Sequence, residues 1–149
     1  MRRLSVLVGL LLLGLAGCAP PGVPVAHPNY HKHSKQFDPP TQGPAALYIM
    51  TVNNAASCAP PLVVSIGSRQ LGPLASGTWF RVEVAPDNYD VRATGSGGPG
   101  WQYVRVGPGD MRFLAVRYAD GTLRGDVLDV PQSEGRPIVL AGRRAWERQ

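Results

Sequence analysis

The chain has 149 residues, 44% of them hydrophobic, with 15 Lys and Arg against 10 Asp and Glu for a formal charge of +5. That length suits one domain with a modest core. The arginines are scattered (Arg69, Arg81, Arg92, Arg105, Arg112, Arg117, Arg124), apart from a cluster of Arg143, Arg144 and Arg148, so the dense stripe of a nucleic-acid binder is missing. The basic balance favours contact with anionic lipid or polymer instead.

Residues 1–17 read as an export leader. Arg2 and Arg3 precede an apolar run from Leu4 to Ala16, too short to span a bilayer as a helix. Leu15-Ala16-Gly17-Cys18 follows the lipobox pattern, in which a small pair leads straight into a cysteine. The Cys18 thiol can form a thioether to diacylglycerol, after which cleavage leaves it as the first residue, carrying fatty chains such as palmitate. Two or three chains at about 0.8 kcal/mol per buried CH2 hold a protein on a membrane essentially for good. Ala19 and Pro20 follow Cys18 with no Asp, which favours the outer membrane and its periplasmic face. With Cys18 acylated, Cys58 is the one remaining thiol, so no disulfide forms within a single mature chain. Asn53-Asn54 and Ala59-Pro60-Pro61 place Cys58 in a loop, where it is either buried and inert or paired between chains.

Residues 18–44 read as a proline-rich tether, with Pro20, Pro21, Pro24, Pro28, Pro39, Pro40 and Pro44 breaking helix and ladder alike. Extended at about 3 Å per residue, it reaches several tens of ångströms. It carries His27, His31 and His33, weak candidates for a shared metal ion that compete with the plainer reading of a solvated polar segment. Lys32 and Lys35 would repel an incoming cation.

From Ala45 onward, short apolar runs are cut by Gly, Pro, Asn and Asp. The alternation predicts strands at Ala45–Val52, Leu62–Ile66, Thr78–Val84, Tyr89–Thr94, Trp101–Val106, Met111–Tyr118 and Leu123–Val130. In the third, Phe80, Val82 and Val84 share one face, and Trp79, Arg81 and Glu83 the other. Asp120-Gly121 is a type I′ hairpin signal. Pro86-Asp87-Asn88 and Gly107-Pro108-Gly109-Asp110 mark breaks, and Ser96–Gly100 a flexible tip. Ile138–Glu147 is open to two readings: a short terminal helix, or a last strand at Pro137–Leu140 with a basic tail. The expected architecture is all-β: an antiparallel β-sandwich of about seven strands over residues 45–141, then a basic tail at 142–149.

Catalytic arrangements are scarce. Without a His after residue 33, the domain supplies no Ser-His-Asp or Cys-His pair. Asp126 and Asp129 differ in parity and point to opposite faces, so they form no acid pair. Gly95-Ser96-Gly97-Gly98 lacks the Lys of a phosphate loop. No cofactor is implied. The aromatics Trp79 and Trp101, with Tyr103 and Tyr30, are candidates for a binding surface; the competing reading makes them half-buried cross-strand neighbours.

Ile66-Gly67, Leu71-Gly72-Pro73-Leu74, Gly77-Thr78-Trp79 and Ala85-Pro86 follow one another in the order of a strand, a small turn, a glycine-bearing segment, a strand, and a proline turn. In this the chain resembles the DUF2846-type bacterial lipoproteins, and Ala46-Leu47-Tyr48-Ile49 is similar to that family's first strand. Ser68-Arg69 replaces a tighter turn, and Asp87-Asn88 the glycine usual after Pro86. The resemblance covers about half of the chain after Cys18. It implies a small lipid-anchored β-sandwich and carries no functional residue. The function expected is a non-enzymatic binding or accessory module with a protein or envelope-polymer partner; a structural subunit of an envelope assembly is the alternative, and a hydrolase the remote one.

Overall fold

The computed structural model describes residues 22–41, 43–52 and 59–148; the leader, Cys18 and Cys58 lie outside them. In chain order the elements are α1 (Pro28–Ser34), β1 (Ala45–Thr51), β2 (Leu62–Ile66), β3 (Arg69–Leu74), β4 (Thr78–Val84), β5 (Asp87–Gly95), β6 (Gly98–Val106), β7 (Met111–Tyr118), β8 (Gly125–Val130), α2 (Gln132–Ala141) and β9 (Arg143–Arg144).

β1 explains the architecture. Six of its seven residues are apolar and all seven are buried. A strand dry on both faces needs a layer against each. One face of β1, with Leu47 and Ile49, meets Phe80, Val82, Leu114 and Val116 from its own sheet. Across the gap lie Leu62, Val64, Leu71, Val91 and Val104 from a second sheet. The other face, with Ala46, Tyr48 and Met50, is covered together with Trp79 and Phe113 by Phe37 from the segment after α1 and Val139 from α2. The molecule is therefore a sandwich of a five-stranded sheet, β8-β7-β1-β4-β9, on a four-stranded sheet, β3-β2-β5-β6. Both helices lie on the outer side of the larger sheet.

The all-β sandwich with a C-terminal helix agrees with the sequence, and most pairings are antiparallel. Two are parallel, β1 with β7 and β4 with β9. β3 was not expected, because Gly72 and Pro73 interrupt its pattern; a sheet edge tolerates both. At the opposite edge, β8 crosses close to β5 and β6. A methyl group at Gly125 would overlap the Ala93 carbonyl, and one at Gly100 the Gly125 carbonyl, so only glycine lets the two sheets meet there.

Several local expectations are corrected. Ser96–Gly100 is not a loose tip: Gly95 pairs with Gly98, leaving the two-residue turn Ser96-Gly97, and Pro99 and Gly100 belong to β6. The β7–β8 hairpin turns through Asp120-Gly121, but only Gly121 has positive φ (70°), which makes the turn type II rather than I′. β8 begins at Gly125, not Leu123. The helix at the C-terminal end starts at Gln132, earlier than expected, with Pro137 inside it. Gly135 and Pro137 give it poor propensity, and burial of Val139 holds it.

The segment expected to be a free tether is docked from its described start. Val25 bridges Ala145, Ala26 N–H donates to the Arg144 carbonyl (2.9 Å), and Trp146 N–H donates to the Pro24 carbonyl (2.8 Å). Pro28 opens α1 at a position where its missing N–H costs nothing. Phe37 is 8% exposed and adopts φ 56°, a strained backbone for a residue with a Cβ. Its ring sits 5.4 Å from Tyr48 and 6.0 Å from Phe113, with the Arg136 guanidinium 4.8 Å above it. Burial of that ring offsets the strain. The basic tail is docked as well, pairing with β4 as β9 and carrying Ala145 into the main core.

Candidate functional site

Among the described residues, no helix or second sheet lies on the outer face of the four-stranded sheet. Inward residues Val91, Ala93, Val104 and Val106 fill the main core, so strand parity sends Asp90, Arg92, Trp101, Tyr103 and Arg105 outward. Register sets Trp101 opposite Arg92 and Tyr103 opposite Asp90. Trp101 is 50% exposed and Tyr103 72%. Arg124 stands 5.8 Å over the Trp101 ring while its Nε donates to the Pro99 carbonyl (2.8 Å). Arg92 Nε donates to Asp90 Oδ2 (2.8 Å), and that bond holds the guanidinium pKa above its ordinary value. The result is a flat platform of two rings edged by braced charged groups.

Trp79, the other expected surface aromatic, is fully buried. It belongs to the face of β4 that the helical layer covers, stacked on His31 at 5.9 Å and tilted against Tyr48 at 6.1 Å. Its indole N–H meets no acceptor among the described residues. The clue was in β1: Tyr48 and Met50 make that face as apolar as the other, and Trp79 lies opposite Met50 in the register. Trp79 and Trp101 therefore form no common surface.

Around Trp79 lies a polar network that pins α1 to the sheet. The Tyr48 hydroxyl donates to the Ser34 carbonyl (2.8 Å) and accepts from Arg81 Nε (3.2 Å). Burial pushes the Tyr48 pKa up, keeping the phenol protonated. Arg144 donates to Ser34 Oγ (2.7 Å), the Arg81 carbonyl (3.1 Å) and Glu147 Oε1 (3.1 Å). Its backbone N–H donates to His31 Nδ1 (3.2 Å).

The three candidate metal ligands take separate tasks. His27 caps α1 by accepting from Asn29 N–H (3.4 Å), His31 accepts from Arg144, and His33 lies against Gln36 (3.3 Å). Among the described residues, no group of three His, Cys, Asp or Glu side chains is placed to hold a metal ion. Asp126 and Asp129 are engaged by Arg117 and Arg112 respectively.

Sequence reasoning missed a cleft of about 300 Å³ beside α1, lined by Tyr30, Arg69, Glu83, Arg144, Trp146 and Glu147 among others. The pairing that brings Val25 to Ala145 creates it, and no periodicity announces such a pairing.

Among the described residues, no helix is long and apolar enough to cross a membrane. No family model, curated protein or solved structure matches the chain.

Proposed function

We propose that the protein is a lipoprotein of the cell envelope, anchored through acylated Cys18 at the periplasmic face of the outer membrane. It is a non-enzymatic binding module, related to the DUF2846-type lipoproteins that it resembles. Its partner is a protein or an envelope polymer. The observation that carries the binding role is the Trp101–Tyr103 pair, held outward on a sheet face that no other element among the described residues covers. Flat amphipathic rings give contact area at little entropic cost, which is why aromatic residues dominate binding hot spots. The absence of a catalytic constellation in the sequence of the domain supports the non-enzymatic side of the reading.

The alternative, a structural subunit joined by strand addition, needs a free edge. Pro73 interrupts β3 as a donor edge, and Arg148 N–H already donates to the Leu71 carbonyl there (2.8 Å). The face is therefore favoured over the β3 edge.

The test is capture from detergent-solubilised envelope, compared with sedimentation on insoluble envelope polymer. Wild-type protein retains its partner, Trp101→Ala with Tyr103→Ala loses it, and Leu140→Ala on α2 keeps it. Retention by the double variant refutes the aromatic face as the site.

A further inference from the structure

Val25, Tyr30 and Trp146 are 48%, 61% and 51% exposed, and the docking of residues 22–37, a strap across the C-terminal segment, brings them to one corner of the molecule. Val25 lies in the bridge to Ala145, next to Trp146, while Tyr30 and Trp146 both line the 300 Å³ cleft. Arg69 and Arg148 are exposed on the elements that build this corner. Its acidic groups are already answered: Glu147 by Arg69 (3.2 Å) and Arg144 (3.1 Å), Glu83 by Arg81 (2.7 Å). The corner therefore presents aromatic rings within a net positive rim. That composition suits the headgroup region of a bilayer, where amphipathic rings settle and basic side chains meet lipid phosphates.

The length of chain outside the docked strap says what covers this corner. The Pro24 carbonyl is held by Trp146 N–H, and Pro24 is only six residues on from Cys18, with five residues between them. Fully extended, this stretch spans at most about 20 Å. An acyl group on Cys18 therefore keeps this corner, and no other part of the domain so tightly, within about 20 Å of the lipid.

We propose that the corner formed by Val25, Tyr30 and Trp146 rests on an anionic bilayer surface, with its rings at headgroup depth and its basic rim against the phosphates. This rests on the lipid-anchored reading of Cys18. It also orients the binding face. The corner belongs to the β3–β9 side of the sandwich, whereas Trp101 and Tyr103 are on β6, the far edge of the four-stranded sheet. Docking at one side turns the other toward the periplasm.

The experiment reads tryptophan quenching by acyl-brominated lipid in phosphatidylglycerol vesicles. One arm uses native protein, its acylation checked by intact mass. The other uses residues 18–149 with Cys18→Ser, held to the same vesicles by an N-terminal histidine tag on nickel-chelating lipid. Quenching is expected in both arms, abolished by Trp146→Phe and kept by Trp101→Phe. Replacing phosphatidylglycerol with phosphatidylcholine should weaken it about twofold or more. Melting of each variant checks that it folds. Absence of quenching in both arms, or quenching lost through Trp101→Phe instead, overturns the proposal. An unacylated native protein whose nickel-held form still shows Trp146 quenching refutes the anchor and leaves the docking surface standing.

Discussion

Two tryptophans that look alike in the sequence have opposite surroundings. Trp79 fills the space between β4 and the helical layer, so Trp79→Ala should cost about 3–5 kcal/mol in denaturant unfolding. Trp101 stands half in solvent, and Trp101→Ala should cost about 1 kcal/mol or less. Equal losses would show the strand faces to be wrongly assigned. His31 gives a test in pH. Burial, then Lys35 and Arg144, hold its pKa below the ordinary 6.5, and Nδ1 must stay unprotonated to accept from Arg144 N–H. The stabilisation is complete above pH 6.5 and is lost as the pH falls below it, because the undocked imidazole binds its proton first. Protection factors of the α1 amides, taken relative to intrinsic exchange at each pH, should therefore fall from about pH 7.5 to 5.5 in wild type and change less in His31→Phe. Equal pH response in the two would contradict this role for His31.

The strands were legible because β2, β4 and β5 alternate cleanly. Phe80, Val82 and Val91 face the core as their parity requires. What alternation could not convey was a second layer. β4 reads as half-polar, yet Trp79 is covered because its neighbour β1 is apolar on both faces, and that information belongs to the pair of strands rather than to either one. β9 and the strap were illegible for a related reason. Arg143–Arg144 and Val25 carry no strand pattern of their own, and each is ordered by the partner it meets. Of the expected binding residues, Trp101 and Tyr103 remain on a surface, Tyr30 lines a cleft elsewhere, and Trp79 is internal. The glycines at the β5–β8 crossing offer a test of how the sheets meet. Gly125→Ala puts a methyl group into backbone that cannot retreat like a side chain, so a loss of about 2–3 kcal/mol is expected in thermal or denaturant melts. An unchanged melt would mean that β8 does not approach β5 this closely.

Taken as one body, the molecule is clasped at the side opposite that crossing. The C-terminal segment pairs with β4, buries Ala145, and reaches β3 through Arg148, and the strap pairs with it in turn. Ends that would otherwise hang free hold the two sheets together, so deletion of residues 143–149 should lower the melting temperature and free α1 for proteolysis. A truncated chain that melts like the whole one would contradict the clasp. The arrangement also converts a nominal tether of several tens of ångströms into a short leash, which gives the proposed anchor an orientation as well as a location.

Intact-mass analysis of the native protein, purified from membranes without reducing or alkaline treatment, tests the anchored reading most directly. The expected species begins at residue 18 and is heavier by a diacylglycerol thioether, with or without a further acyl group on the new amino terminus. A species beginning at Met1, or one whose Cys18 sulfur carries no lipid, would contradict it.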